Sequence, residues 1–273
     1  MQPTFSVVTI VKDRVPQLAN LIASIEQSSY QPSEVIVVWM RPPCKASLLT
    51  STRFTLIHKF VSGETLPIAK ARNRGITACS NSTFVYVDVD CLVAPTLFEH
   101  MLAVCEPGSL VSTPVAYLPC VPTQVNYADL ARQASPAGLG AATGRNFSTR
   151  AFAMQLDDFQ AVGGFDEQYI GYGVSDADFA TRCEQHKLVF LQVPQGVLHQ
   201  YHERFDPPVN HLFDIVNNAA SYRARWGSYP MQHQLEKFAQ AGWINADFSE
   251  TGLRICRVPT AKEMQQFVSA AVC

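Results

Sequence analysis

The chain has 273 residues, 47% hydrophobic and 16% charged, a balance that suits one large α/β domain or two small ones sharing a sheet and excludes a disordered chain. Its formal net charge of −2 excludes a strongly basic field, so nucleic acid is not an expected partner, and an anionic ligand needs a few local arginines or a metal ion. Eight cysteines without a CxxC pair exclude a zinc ribbon and thioredoxin-like chemistry and read as free thiols of a reducing compartment.

The opening "MQPTFSVVTIVKDR" runs almost directly into a strand, and no apolar span of about 20 residues occurs anywhere, so the expectation is a soluble, cytoplasmic protein without a transmembrane segment, with room for peripheral membrane contact. "FSVVTIV" (5–11) is a β-branched run, and Leu18, Leu21, Ile22 and Ile25 follow at helical spacing. "EVIVVWM" (34–40) and "FTLIHKF" (54–60) predict two further strands, "LPIAKARNRGITACS" (66–80) a helix with Pro67 in its first turn, and "FVYVDVD" (84–90) a fourth strand. This alternation predicts a mostly parallel sheet with helices on both faces and ligands at the carboxyl ends of its strands.

A helix carrying Leu97, Phe98, Met101, Leu102 and Cys105 follows Pro95; Pro, Ser, Thr, Ala and Gly then dominate 106–145. Beyond "KLVFLQVP", another strand, Leu212, Ile215, Val216, Ala219 and Trp226 form one stripe of a helix over about 209–225. The expected division is 1–205 as the main domain, with a nucleotide half 1–105 and an acceptor half 106–205, and 206–273 as a helical extension packed on it. Arg204, just before this last part, and Arg223 and Arg225 within it either close over a diphosphate or face solvent, and Trp226, Tyr229 and Trp243 read as packing.

Asp88 and Asp90 end an otherwise apolar strand. If the strand persists, both point to one side, where two neighbouring carboxylates repel unless a cation or hydrogen-bond donors compensate. A divalent metal compensates economically; a strand-terminal turn with Asp90 on backbone amides is the alternative.

Taken together, "SVVTIVKDR", "IAKARNRGI", "FVYVDVDC", "NFSTR", "GGFDEQYIGYGVSDADFATR" and "VLHQYHE" resemble the family 2 glycosyltransferases of the GT-A fold, in particular their galactosyltransferase-like branch, over roughly residues 5–205. The resemblance implies the GT-A fold and an inverting, metal-dependent enzyme that moves a sugar from a nucleotide-diphosphate donor, UDP by default, to a hydroxyl of a carbohydrate or other small acceptor. It implies Mn²⁺ or Mg²⁺ held by Asp90, Asp88 and His199, with His202 a rival to His199. The donor would lie against Thr9, Val11, Lys12, Arg14, Arg72, Asp88 and Val89, with backbone groups near Thr9, Val11 and Lys12 and the Arg72 side chain reading base or phosphates. The acceptor would meet Gly164, Phe165, Tyr172, Gly173, Ser175 and Asp176, with Asp176 as catalytic base.

Asp176 at its ordinary pKa near ~3.9 is ionised at neutral pH and able to accept the acceptor's proton. Ser175 and Asp178 also read as a capping box of the following helix. Gly171 and Gly173 suggest close backbone approach to a ligand, and Phe165 and Tyr172 a flat surface for a sugar ring. Two departures from the family pattern stand out: Ser175 where Glu is usual, and Trp39 where many members carry a base-binding Asp. They motivate a second reading, a catalytically silent nucleotide- or carbohydrate-binding protein. A third, a nucleotidyltransferase, lacks the Gly-rich phosphate loop expected near "SVVTIVKDR".

Overall fold

A computed structural model describes residues 3–44, 48–63, 66–136, 143–144 and 147–268. Cys273, one of the eight cysteines, lies outside them. Strands β1 (Ser6–Val11), β2 (Glu34–Trp39), β3 (Thr55–Phe60) and β4 (Thr83–Val87) alternate with helices α1 (Val15–Glu26) and α2 (Ile68–Ile76). β5 (Cys91–Val93), α3 (Leu97–Val104), β6 (Ser109–Ser112), β7 (Val115–Tyr117), α4 (Tyr127–Gln133), β8 (Ser135–Pro136), β9 (Ala151–Gln155), α5 (Leu156–Val162) and α6 (Ser175–Gln185) follow. After β10 (Val189–Gln192) and β11 (Val197–His199) come α7 (Leu212–Trp226) and α8 (Gln232–Gln240).

Seven strands form the central sheet in the order β10-β6-β9-β4-β1-β2-β3. Every pairing is parallel except those of β9, which runs antiparallel between β4 and β6. The β-branched runs of β1 and β2 are buried along their whole length because helices cover both faces. Val7, Val11, Val35, Val37 and Val85 pack with α1 and α3 on one side; Val8, Ile10, Ile36, Val38 and Phe84 pack with α2, α5 and α6 on the other. Each such side chain contributes on the order of 1.5–3 kcal/mol by leaving water.

A smaller sheet, β5-β11-β7-β8, sits beside the first and was not foreseen from sequence. Its β5 begins directly after the two aspartates. The predicted strand 84–90 therefore stops at Val87, and Cys91 N donates to Asp88 O at 2.8 Å to close a tight turn over Asp88–Cys91. The C-terminal helices build their own apolar cluster, in which Leu212, Ile215, Ala219, Leu235, Phe238 and Trp243 enclose Tyr169 and Val174 of the preceding part. Trp226, Tyr229 and Trp243 all belong to that packing.

Candidate active site

The turn separates the two carboxylates rather than setting them on one strand face. Asp88 is partly exposed and pairs with Arg150 at 3.3 Å. Asp90 is 1% exposed and turns inward, where Arg14 contacts its Oδ2 as an ion pair and His202 Nε2 lies 3.7 Å away. Neither Asp90 oxygen has a hydrogen bond of normal geometry despite the ion pair, so a buried carboxylate is left under-satisfied.

His199 reaches this point through strand pairing: in the antiparallel β5–β11 ladder Cys91 stands opposite His199, and Gln200 N donates to Asp90 O at 2.6 Å. Asp90, His199 and His202 present one ligand atom each within 4.8 Å of one another. His199 Nδ1 lies 3.0 Å from Gln200 O and His202 Nδ1 lies 2.9 Å from Glu203 O. A carbonyl only accepts, so in each ring Nδ1 carries the proton and Nε2 keeps its lone pair, the tautomer a metal ligand needs.

Burial, then Arg150, pushes the His199 pKa down to about 3; burial, then Arg14, lowers that of His202. Both imidazoles are therefore neutral. An under-satisfied carboxylate and two neutral imidazoles whose Nε2 atoms are acceptors, that of His199 met by Arg150, fit a divalent cation, the imidazoles favouring Mn²⁺ over Mg²⁺. Asp88 lies outside this trio, whereas His202 stands in it beside His199. Arg150 donates to His199 Nε2 at 2.8 Å and bridges to Asp88. Sequence reasoning missed Arg150, although it ends the quoted "NFSTR". Arg204 lies over the Tyr117 ring at 4.9 Å, and that ring packs against His199 at 5.2 Å.

At the carboxyl ends of β1, β2 and β3 a cleft of about 510 Å³ is lined by Lys12, Trp39–Pro42, Phe60–Gly63, Leu66 and Pro67. None of these residues is acidic. Trp39 forms a wall but offers no free donor, because its indole Nε1 donates to His58 Nδ1 at 3.0 Å while His58 Nε2 donates to Leu49 O at 2.9 Å. The side chains of Thr9, Val11 and Val89 are buried in the sheet, which leaves only their backbone for a nucleotide.

Asp176 stands on the first turn of α6 with its side chain 37% exposed. Arg72 Nη1 donates to its Oδ1 at 2.8 Å, and Thr149 donates to its Oδ2 from Oγ1 at 2.8 Å and from N at 3.2 Å. Burial opposes ionisation, but Arg72 and Thr149 outweigh it and hold the Asp176 carboxyl below the usual carboxylate range. Arg72 is itself buried, stacked on Phe165 and Tyr86 at 5.0 and 5.4 Å. It is thus paired with Asp176, whereas Lys70 and Arg74 of α2 are exposed.

Several expected acceptor contacts are structural instead. Phe165 is 1% exposed and stacks on Phe179 at 4.3 Å in the core. Gly164, at φ +64°, passes so close to Asn73 that a Cβ would lie 2.9 Å from its Oδ1. At Gly171 a Cβ would meet the Asp214 carboxylate at 2.3 Å, and at Gly173 it would meet Ile215 and Met231 at 3.2 Å; the space these glycines leave is taken by the C-terminal segment, not by a ligand.

The capping box does not form: Val174 is the N-cap, and Ser175 is already helical and buried, with its Oγ 3.4 Å from Asp176 Oδ1. Asp178, fully buried, instead accepts from Arg182 Nε at 2.8 Å, Trp226 Nε1 at 2.9 Å and Tyr169 Oη at 3.2 Å. Arg225 pairs with Asp166 and Asp178, and Arg223 donates to Tyr229 Oη and to the carbonyls of Phe248 and Ser249. Of the expected acceptor residues, Tyr172 and Asp176 keep exposed surface, Tyr172 at 37%.

Comparison with known proteins agrees with this architecture. Residues 6–129 match glycosyl transferase family 2, and residues 142–204 match the N-terminal domain of galactosyltransferase. Together with the fold, these matches class the chain as a glycosyltransferase of the GT-A type.

No curated protein sequence matches the chain. Among solved structures, S. aureus TarS residues 1–349 superimpose with a TM-score of 0.56 at 11% identity, over 91% of this chain and 73% of that one. The mannosyltransferase PcManGT from Pyrobaculum calidifontis, in complex with GDP-Man and Mn²⁺, gives 0.55 at 16% identity over 88% and 70%. GalNAc-T7 with UDP, GalNAc and Mn²⁺ gives 0.56 at 16% identity over 87% and 54%. At such identities the likeness is one of fold.

Proposed function

We propose that the chain transfers a sugar, with inversion, from a UDP-sugar to a hydroxyl of a carbohydrate or other small acceptor, and depends on Mn²⁺ or Mg²⁺ to do so. The observation that carries this reading is the convergence of Asp90, His199 and His202 beside Asp88, whose charge acts on Arg72 and Tyr172 together with that of the ionised Asp176. The bound cation would act as a Lewis acid that offsets the charge developing on the departing diphosphate. Asp90, His199 and His202 would hold it, and Asp88 with Arg150 would border the donor's ribose and phosphates. Arg14 would exchange its partner Asp90 for a phosphate oxygen.

UDP is the donor nucleotide that the family resemblance implies, and the cleft at the ends of β1 to β3 offers it apolar walls with Lys12 and with Arg41, the latter paired with Asp13 at 3.1 Å. Asp176 would accept the acceptor's proton as its oxygen bonds to the anomeric carbon and the carbon–phosphate oxygen bond breaks, the electron pair leaving with UDP. A single displacement with one base inverts the anomeric centre. Arg72 and Thr149 keep that base ionised and aimed.

Residues 1–205 would form the transferase domain, with donor and acceptor halves meeting near 105, and 206–273 its extension. No helix of the described residues is long and apolar enough to cross a membrane. A cytoplasmic setting is proposed on the buried free thiols of Cys91, Cys105 and Cys183. The test is transfer from UDP-sugars to an acceptor panel with Mn²⁺ and with chelator, the product's anomeric configuration read by NMR. Product of retained configuration, or equal rates with chelator, would contradict the proposal.

A further inference from the structure

The loop that carries Tyr172 is fastened from α7, beyond both family-matched stretches. Asn218 Nδ2 lies 2.9 Å from Ile170 O, 3.3 Å from Tyr172 O and 3.4 Å from Gly173 O. Tyr172 N donates to Asp214 Oδ2 at 3.0 Å, and Gly171, at φ +77°, leaves the room that this carboxylate fills. His211 Nδ1 stands 3.4 Å from the same Oδ2. Its ring lies flat under that of Tyr172, centroids 4.5 Å apart and planes 17° apart.

A stacked aromatic pair that served only packing would be covered. Tyr172 is not: it is 37% exposed, and the charges of Arg150 and Asp88, beside the candidate cation position, and of Asp176 act on it. A ring held rigid on one face and open beside the base suits the C–H face of a sugar.

We propose that His211, Asp214 and Asn218 are acceptor-positioning residues, which fix Tyr172 as a platform for the acceptor's sugar ring beside Asp176. Acceptor recognition is then built partly by the C-terminal segment. This rests on the glycosyltransferase reading, from which its test is separable.

The full chain loaded with UDP and Mn²⁺ is titrated with p-nitrophenyl β-glucoside, β-galactoside and β-N-acetylglucosaminide. His211→Ala is expected to weaken glycoside binding about three- to tenfold while UDP affinity stays at the wild-type value. His211→Phe, which keeps the stack but not the imidazole, is expected to restore it, and Asn218→Ala to weaken it in the same direction. Equal glycoside affinity in His211→Ala and wild type overturns the proposal. So does a parallel fall in UDP affinity without rescue by Phe, or a wild-type protein that binds UDP and none of the glycosides. Absence of UDP binding in the wild type overturns the glycosyltransferase reading itself, and this proposal with it.

Discussion

Asp176 gains its character from neighbours more than from its own chemistry. Burial would raise its pKa, and Arg72 with Thr149 reverses the sign. Arg72→Met removes the opposing charge and leaves the burial, so the pKa of Asp176 rises. The acid limb of the kcat/KM profile is expected to move toward neutral pH, and a limb that stays in place would contradict the assignment. Linkage has the same sign: a depressed folded-state pKa stabilises the fold above the unfolded carboxylate's pKa, and that contribution disappears as pH falls through the depressed value. Asp176→Asn is expected to lower kcat by about 10²–10⁴-fold with donor affinity retained, as measured by steady-state kinetics and calorimetry. At the cation position, His199→Ala and His202→Ala are each expected to weaken Mn²⁺ binding at least about tenfold, or roughly 1.4 kcal/mol. From sequence alone His199 was expected to matter much more than His202; substantial losses in both variants are what a cation shared by Asp90, His199 and His202 predicts.

At the scale of elements, legibility followed local signal. β1 and β2 were readable from β-branched runs because both faces of the sheet are covered and every residue is buried, and α2 from its helical spacing, whereas β3, the edge strand, is only partly buried and was readable from its apolar run alone. The small sheet was not readable, since β5, β7 and β11 have three residues each and no period emerges from three. That sheet is what brings His199 to Asp90, through the pairing of Cys91 with His199 across more than 100 residues of chain. The sequence could name both ligands by motif, but it could not show that the aspartates part company after Val87. Arg72 was misread for a related reason, because its partners Thr149 and Asp176 lie on other elements. Within α2, Gly75 permits the helix to sit on the sheet, where a Cβ would come within 2.5 Å of Val8 and 2.9 Å of Val38. Gly75→Ala is therefore expected to destabilise the fold by about 1–3 kcal/mol in urea unfolding, and a neutral result would show that α2 shifts freely.

Across the whole molecule, the C-terminal segment is tied to the transferase core by a buried carboxylate. Asp178 of α6 takes hydrogen bonds from Tyr169, Arg182 and Trp226, and the apolar cluster around Ile215, Phe238 and Trp243 closes over Tyr169 and Val174. A chain ending at residue 205 would expose that cluster's inner face and strip Asp178 of Trp226 and Arg225. It is expected to lose cooperative unfolding by calorimetry, whereas a sharp transition would mark 206–273 as a dispensable appendage. Donor binding is proposed to run through a cation at Asp90, His199 and His202. The thermal unfolding midpoint of the full chain with UDP-sugar, in Mn²⁺ and in chelator, for wild type and Asp90→Asn, tests this directly. Tm is expected to rise for the wild type with Mn²⁺ and donor together, and not with chelator or in Asp90→Asn. An equal rise in chelator, or a full rise in Asp90→Asn, would contradict it.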